Sequence, residues 1–166
     1  MNRAAYLALG ANLGDRARAL REAIARVAAV EGMNLRAVSR VYETDPVGPG
    51  DQPPYLNVVI AVALEDSLPA QDLLRALQQI ERELGRQPRP RWHPREIDID
   101  ILWVEGERVC TPDLELPHPR LWERAFVLVP LADIAPAFRD AGGRTAAAAA
   151  SQLDGHHGVR LYACTP

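Results

Sequence analysis

A chain of 166 residues that is 48% hydrophobic can bury a core of its own as one domain, with no need of disulfides or a structural metal. A net charge of −3 excludes a general nucleic-acid binder, whose surface carries a basic excess. No apolar run is long enough to span a membrane, and the stretch over residues 4–11 is too short and wrongly flanked for a signal peptide, so a cytoplasmic protein is expected. Cys110 and Cys164 lie far apart in no metal or redox spacing and read as ordinary thiols of a reducing compartment. The sequence contains no lysine, so any phosphate must be met by Arg, His or backbone N–H groups. Arg offers a planar fork of donors suited to that task.

Residues 6–9 form a short apolar run ended by Gly10, which predicts a buried strand. Asp15 is placed to cap a helix running to residue 31, with Leu20, Ile24 and Val27 as its stripe and Gly32 as its stop. Residues 35–42 alternate and predict a second strand, followed by a loop at 45–54 dense in Pro and Gly. The β-branched run 55–64 predicts a third strand. Ser67 and Pro69 open a second helix whose core stripe is Leu73, Leu77, Ile80 and Leu84, with Gly85 at its end. A loop rich in Pro and Arg covers 86–95, and 97–104 is a fourth strand. The order β-α-β-β-α-β is the split βαβ, ferredoxin-like α+β pattern, an antiparallel sheet covered by two helices on one face. From residue 108 onward the chain adds to that core a Pro-rich connection, a helix near 124–134 and a helix over the alanine run 146–150. No repeat and no second domain appear, so residues 1–166 are read as one domain.

Such folds host unrelated functions, so the sites must carry the argument. In Ile97-Asp98-Ile99-Asp100-Ile101 the alternation of a strand puts three isoleucines on one face and two aspartates on the other. Two strand rises separate the aspartates by roughly 7 Å at Cα. Carboxylates that close repel unless a cation lies between them. Hard cations such as Mg²⁺ take oxygen ligands and keep waters and substrate phosphates, and a carboxylate pair can hold two of them. An exposed polar strand face is the competing reading, of about equal weight for this pattern alone. Directly upstream, residues 86–95 hold Arg86, Arg89, Arg91 and Arg95 together with Trp92. Alone this is a solvated basic loop; beside a metal site it is a phosphate clamp. His118, between Pro117 and Pro119, is either a phosphate donor or a turn residue. Gln78 and Glu81 share a helix face away from the leucine stripe and read by themselves as solvent residues. The glycines of Gly10-Ala-Asn-Leu-Gly14 lack the spacing and the Lys-Ser/Thr of a P-loop and suit a strand-to-helix turn.

Together these segments resemble the 6-hydroxymethyl-7,8-dihydropterin pyrophosphokinase family of folate biosynthesis. The matching stretches are LALGANLGD at 7–15, YETDPVGPGDQPPYLNVV at 42–59, IERELGR at 80–86, RWHPREIDIDIL at 91–102 and LPHPRLWERAFVLVPLADIAP at 116–136. The resemblance implies a ferredoxin-like enzyme that transfers pyrophosphate from ATP to the pterin's hydroxymethyl group and releases AMP, with two Mg²⁺ ions between paired aspartates and nucleotide phosphates. By that resemblance Asp98 and Asp100 are metal ligands, and Arg86, Arg91 and Arg95 handle the phosphates. Gln78, Glu81, Trp92, Ile101, His118 and Arg124 surround ATP. Thr44, Val47 and Asn57 bond the pterin, partly through backbone, and Tyr55 and Phe126 enclose its ring. Two features depart from the family pattern: His93 stands where Gly or Ala is usual, and the loop between Arg86 and Arg91 is one residue shorter.

Two other classes remain in view. A ferredoxin-like RNA-binding or regulatory module is disfavoured by the acidic charge and the lack of an aromatic-basic strand motif. A metal-dependent phosphohydrolase using the same aspartates has no use for Tyr55, Asn57 and Phe126. The enzyme is expected to act as a monomer on ATP and the pterin, with no nucleic-acid or membrane partner.

Overall fold

Leu7, Leu9 and Ala11 alternate with Ala8 and Gly10 along the first strand, β1 (Asn2–Ala11), and this two-faced pattern suits the interior of a sheet. In the computed structural model, which describes residues 2–46, 51–88, 93–153, 158–163 and 165–166, β1 lies between two antiparallel neighbours. These are β4 (Tyr55–Glu65) and β5 (Asp98–Val104). β2 (Met33–Val38) and β3 (Val41–Thr44) both pair with the far side of β4, and β8 (Val159–Ala163) pairs with β3, giving the order β5-β1-β4-β3-β8 with β2 beside β4. A separate pair, β6 (Val109–Cys110) and β7 (Glu115–Leu116), forms a small second sheet.

One sheet face is covered by α1 (Arg16–Ala28) and α2 (Ala70–Glu83). Asp15 caps α1 by accepting from the Arg18 backbone N at 3.0 Å, a bond worth about 1 kcal/mol. The stripes Leu20, Ile24, Val27 and Leu73, Leu77, Ile80 pack on Leu7, Leu9, Val58, Ile60, Ile99 and Ile101 from the sheet. Truncating a fully buried member such as Leu77 to Ala leaves a void and costs about 2–5 kcal/mol. This is the βαββαβ core read from the sequence. It is an α+β ferredoxin-like fold.

Three features go beyond that reading. The strand expected over 35–42 is two strands, because Ser39 interrupts it. The Ser39 N donates to the Val59 carbonyl at 2.9 Å, and its Oγ accepts from the Val59 N at 2.9 Å, so a hydroxyl stands in for a backbone carbonyl and the chain steps along β4. Second, the opposite sheet face is also covered. Leu121, α3 (Ala125–Ile134) and α4 (Ala146–Gln152) pack a second apolar cluster on Val59 and Leu102. Leu102 follows Asp98 and Asp100 onto this face by strand alternation, and a bulge adds to it: Tyr6 pairs with Trp103 but Leu7 with Ile101, so Leu102 is the extra residue and Trp103 joins it on the second face. Third, β8 extends the sheet beyond β3, a strand that the short, mixed run 159–163 did not announce.

Candidate active site

α3 and α4 cover only part of the second sheet face. The rest is a cleft of about 330 Å³, within the range of small-molecule sites. Its floor follows from strand register. Gly10 on β1 pairs with Asp98 of β5 on one side and with Asn57 of β4 on the other. Cross-strand partners share a face, so a carboxylate, a gap and an amide stand in a row across three strands. Ala8, the next β1 residue on this face, pairs with Asp100. The floor is thus built of residues with almost no side chain. A Cβ at Gly10 would come within 2.9 Å of Asn57 Oδ1. Gly10 lies inside β1 and has no positive φ, unlike Gly14 at φ +63°, so the two glycines of this motif serve different ends. Gly14 makes the turn expected from the sequence. Gly10 makes room.

The aspartates are strained electrostatically. Burial and then the neighbouring Asp100 push the Asp98 carboxyl up to about 7, against the pull of Arg86 and Arg124. Burial likewise raises Asp100, with Arg124 opposing it and Glu81 adding to the rise. Arg86 Nη1 lies 2.9 Å from Asp98 Oδ1, and Arg95 Nη1 lies 3.8 Å from the same oxygen. Arg86 also pairs with Glu81. Glu81 is not the solvent residue that its helix position suggested: it is 4% exposed, accepts from the Ile99 backbone N at 2.6 Å, and is pushed up to about 7 by burial. It braces β5 midway between the two aspartates. Among the described residues no group of three or more His, Cys, Asp or Glu is gathered to hold a metal by itself. Asp98 and Asp100 nevertheless fit a hard divalent cation. They are carboxylates crowded into one cleft with raised pKa values, and such an ion relieves their repulsion while taking further oxygens from phosphate and water.

The other end of the cleft carries an amide, a hydroxyl and two aromatic rings. Tyr55 opens β4, and Asn57 follows two residues later on the same face. Thr44, 4% exposed, pairs with Tyr55 across β3 and β4, and its Oγ1 accepts from Asn57 Nδ2 at 2.6 Å. That bond fixes the amide, with Oδ1 directed at Gly10. Phe126, in the first turn of α3, faces the same cleft, and the Arg124 guanidinium stands 5.5 Å over its ring. His118 also lines it. Burial first, then Arg124 and Arg120, hold the imidazole below its ordinary pKa, which favours its neutral form. Its Nδ1 accepts from the Arg120 backbone N at 3.1 Å, which leaves the proton on Nε2. His118 therefore holds the turn through Nδ1 and also lines the cleft.

The cleft gathers Thr44, Tyr55, Asn57, Arg86, Arg95, Asp98, Asp100, His118, Arg124 and Phe126 from the sequence-derived set. Gln78 is exposed on α2 and does not line it. Glu81 lies behind the wall, and Ile101 is 4% exposed in the helix-side core, so only its backbone is available to a ligand. Val47, Arg91 and Trp92 lie outside the described residues. Gly10, Ala8 and Asp45 line the cleft without having been singled out for it. Only Gly10 carried a signal, a glycine directly after the apolar run of the strand and inside β1 itself.

Residues 6–136 match the model of the 7,8-dihydro-6-hydroxymethylpterin-pyrophosphokinase (HPPK) family. The chain is 49% identical over 134 residues to a Bacillus subtilis 2-amino-4-hydroxy-6-hydroxymethyldihydropteridine pyrophosphokinase, covering 81% of this chain and 79% of the relative. A Methylorubrum extorquens protein of the same name is 47% identical over 150 residues, covering 90% and 93%. Among solved structures, wild-type Plasmodium falciparum HPPK-DHPS with pteroate superposes with a TM-score of 0.70 at 15% identity, over 92% of this chain and 42% of that one. That likeness concerns the fold.

Proposed function

The chain belongs to the 7,8-dihydro-6-hydroxymethylpterin-pyrophosphokinase family, and we propose that the cleft on the second sheet face is where it transfers pyrophosphate from ATP to 6-hydroxymethyl-7,8-dihydropterin. The observation that carries this assignment of the cleft is the row Asp98–Gly10–Asn57. It sets an anionic, arginine-ringed end beside an amide-and-aromatic end, with an open floor between them.

On this reading Tyr55 and Phe126 enclose the pterin ring, and Asn57, held by Thr44, presents its amide to the ring's polar edge. Val47 adds backbone contacts. Arg86, Arg91 and Arg95 bind the phosphates, and Gln78, Trp92, His118, Arg124 and the backbone of Ile101 border the nucleotide. Glu81 acts from behind by holding Arg86. Asp98 and Asp100 would hold Mg²⁺, two ions on the family pattern, which would supply positive charge against the phosphate oxygens. The hydroxymethyl oxygen forms the new bond to that phosphorus and gives up its proton, the bond to the bridging α–β oxygen breaks, and AMP leaves. Arg95 and Arg86 stand where charge builds on the transferred group. The chain is taken to act as a monomer in the cytoplasm, as one domain over 1–166. Among the described residues no helix is long and apolar enough to cross a membrane.

Product analysis decides the reaction. ATP, Mg²⁺ and the hydroxymethyl pterin should give AMP and the pterin diphosphate in equal amounts, with no nucleotide consumed when the pterin is withheld. Stoichiometric ADP would overturn the proposal, and pterin-independent loss of ATP would make the protein a phosphohydrolase.

A further inference from the structure

Asn12 does not line the cleft, and it is 1% exposed at the turn between β1 and α1. Both ends of its amide are engaged, and with different loops. Oδ1 accepts from the Arg95 backbone N at 2.7 Å. Nδ2 donates to the Pro53 carbonyl at 3.2 Å and lies 3.5 Å from Gln52 Oε1. The Asn12 backbone N also donates to the Arg95 carbonyl at 3.1 Å. Residue 12 therefore grips residue 95 as a strand neighbour would, and grips residue 53 with the rest of the same side chain.

The two gripped residues belong to opposite ends of the site. Arg95 reaches Asp98 on the anionic side. Pro53 sits two residues before Tyr55, which opens the aromatic side. A second, weaker link runs alongside, with the Tyr55 hydroxyl 3.5 Å from the His93 carbonyl. A buried amide is costly to leave half-paired. If Pro53 moves away, Nδ2 loses its acceptor; if Arg95 moves away, Oδ1 loses its donor. Pro53 and Arg95 in these positions thus favour each other, and a ligand that holds one in place lowers the cost of holding the second.

We propose that Asn12 is a positioning residue that couples nucleotide binding to pterin binding by tying Pro53 and Arg95 to the end of β1. This rests on the assignment of the two ends of the cleft given above. Coupling between binding sites is reciprocal, so it is measurable from either ligand. The test is calorimetric titration of the hydroxymethyl pterin into the full-length chain, with and without a non-hydrolysable ATP analogue plus Mg²⁺, for wild type, Asn12→Ala and Asn12→Asp. Asp keeps the acceptor for Arg95 and loses the donor to Pro53, so it cuts one half of the link and serves as the informative variant if Ala unfolds. In wild type the analogue should tighten pterin binding by about tenfold or more. In the variants that factor should fall to within about threefold of unity, while each ligand alone binds within about threefold of its wild-type affinity. A purely structural role would instead lower the melting temperature or both separate affinities and leave the factor unchanged. An unchanged factor in folded Asn12→Asp, or wild type without coupling, overturns the proposal. A wild-type chain that makes no AMP at all defeats the functional reading instead.

Discussion

Replacing Asp98 by Asn should make the metal-free protein more stable and the enzyme nearly inactive. The carboxyl is pushed from an ordinary value of 3.8 up to about 7 by burial and by Asp100. At about 1.4 kcal/mol per pH unit, a shift of that size sets an upper limit of about 4 kcal/mol on the penalty for keeping the group ionised. The side chain retains 34% of its exposure, so solvent screens much of this, and roughly 1–2 kcal/mol is the working figure. The sign follows from the raised folded-state value: the stability this group confers is complete below about pH 4 and is lost as pH rises through about 7. Asn does not ionise, so its advantage should be largest above pH 7 and small near pH 4. Arg86, which loses a 2.9 Å partner, keeps Glu81. Thermal unfolding in chelator at pH 8 should show the variant melting a few degrees higher, at about 2–4 °C per kcal/mol, with a smaller gap at pH 5. Turnover to AMP should fall about 10²–10³-fold. Near-normal turnover would remove Asp98 from the metal site. A variant less stable than wild type at pH 8 would refute the account of crowded carboxylates.

Three further outcomes are expected. Tyr55→Ala or Phe126→Ala should weaken pterin binding by about 1–3 kcal/mol, by analogy with base stacking, and change ATP binding much less; calorimetry showing the reverse would reassign both rings. Arg95→Ala should lower kcat more than it raises the KM for ATP, because a donor tightened in the transition state acts mainly on the chemical step; steady-state kinetics with an unchanged kcat would make Arg95 a ground-state binder. Tyr42 is 5% exposed, and burial, followed by its hydrogen bond to Asp133, pushes its hydroxyl up to about 12. The stability it confers is therefore complete below about pH 10 and is lost as pH rises through about 12. Denaturant unfolding across that window should fall more steeply for wild type than for Tyr42→Phe, and parallel slopes would contradict the assignment.

How much of this was legible in the sequence depends on how local each determinant is. The isoleucine and aspartate alternation of β5 is a property of one strand, and the structure keeps it: Ile97, Ile99 and Ile101 pack with the helices while Asp98 and Asp100 face the cleft. The helix stripes and the Asp15 cap are equally local. Ser39 was harder to read, because an alternating run looks the same whether or not a hydroxyl replaces a carbonyl in the ladder. Glu81 misled for a related reason. Helical spacing puts it off the leucine stripe, but the β5 backbone and Arg86 supply buried partners that only tertiary structure brings near. The second apolar cluster also takes Trp103, whose face is set by a bulge in the pairing with β1 rather than by the alternation of its own strand.

Gly10 and Asn12 carry the same lesson to the site itself. Within Gly10-Ala-Asn-Leu-Gly14 a turn explains Gly14 completely, and it is the reading that spacing alone supports. The requirement on Gly10 comes from Asn57, 47 positions away in the chain, whose Oδ1 would meet a Cβ at 2.9 Å. The requirement on Asn12 comes from Pro53 and Arg95 together. A residue whose role is to leave space, or to join two loops, has its reason written in other segments. In this protein the paired aspartates and the arginines beside them were therefore visible first, and the residues that hold them in register became visible only with the sheet assembled.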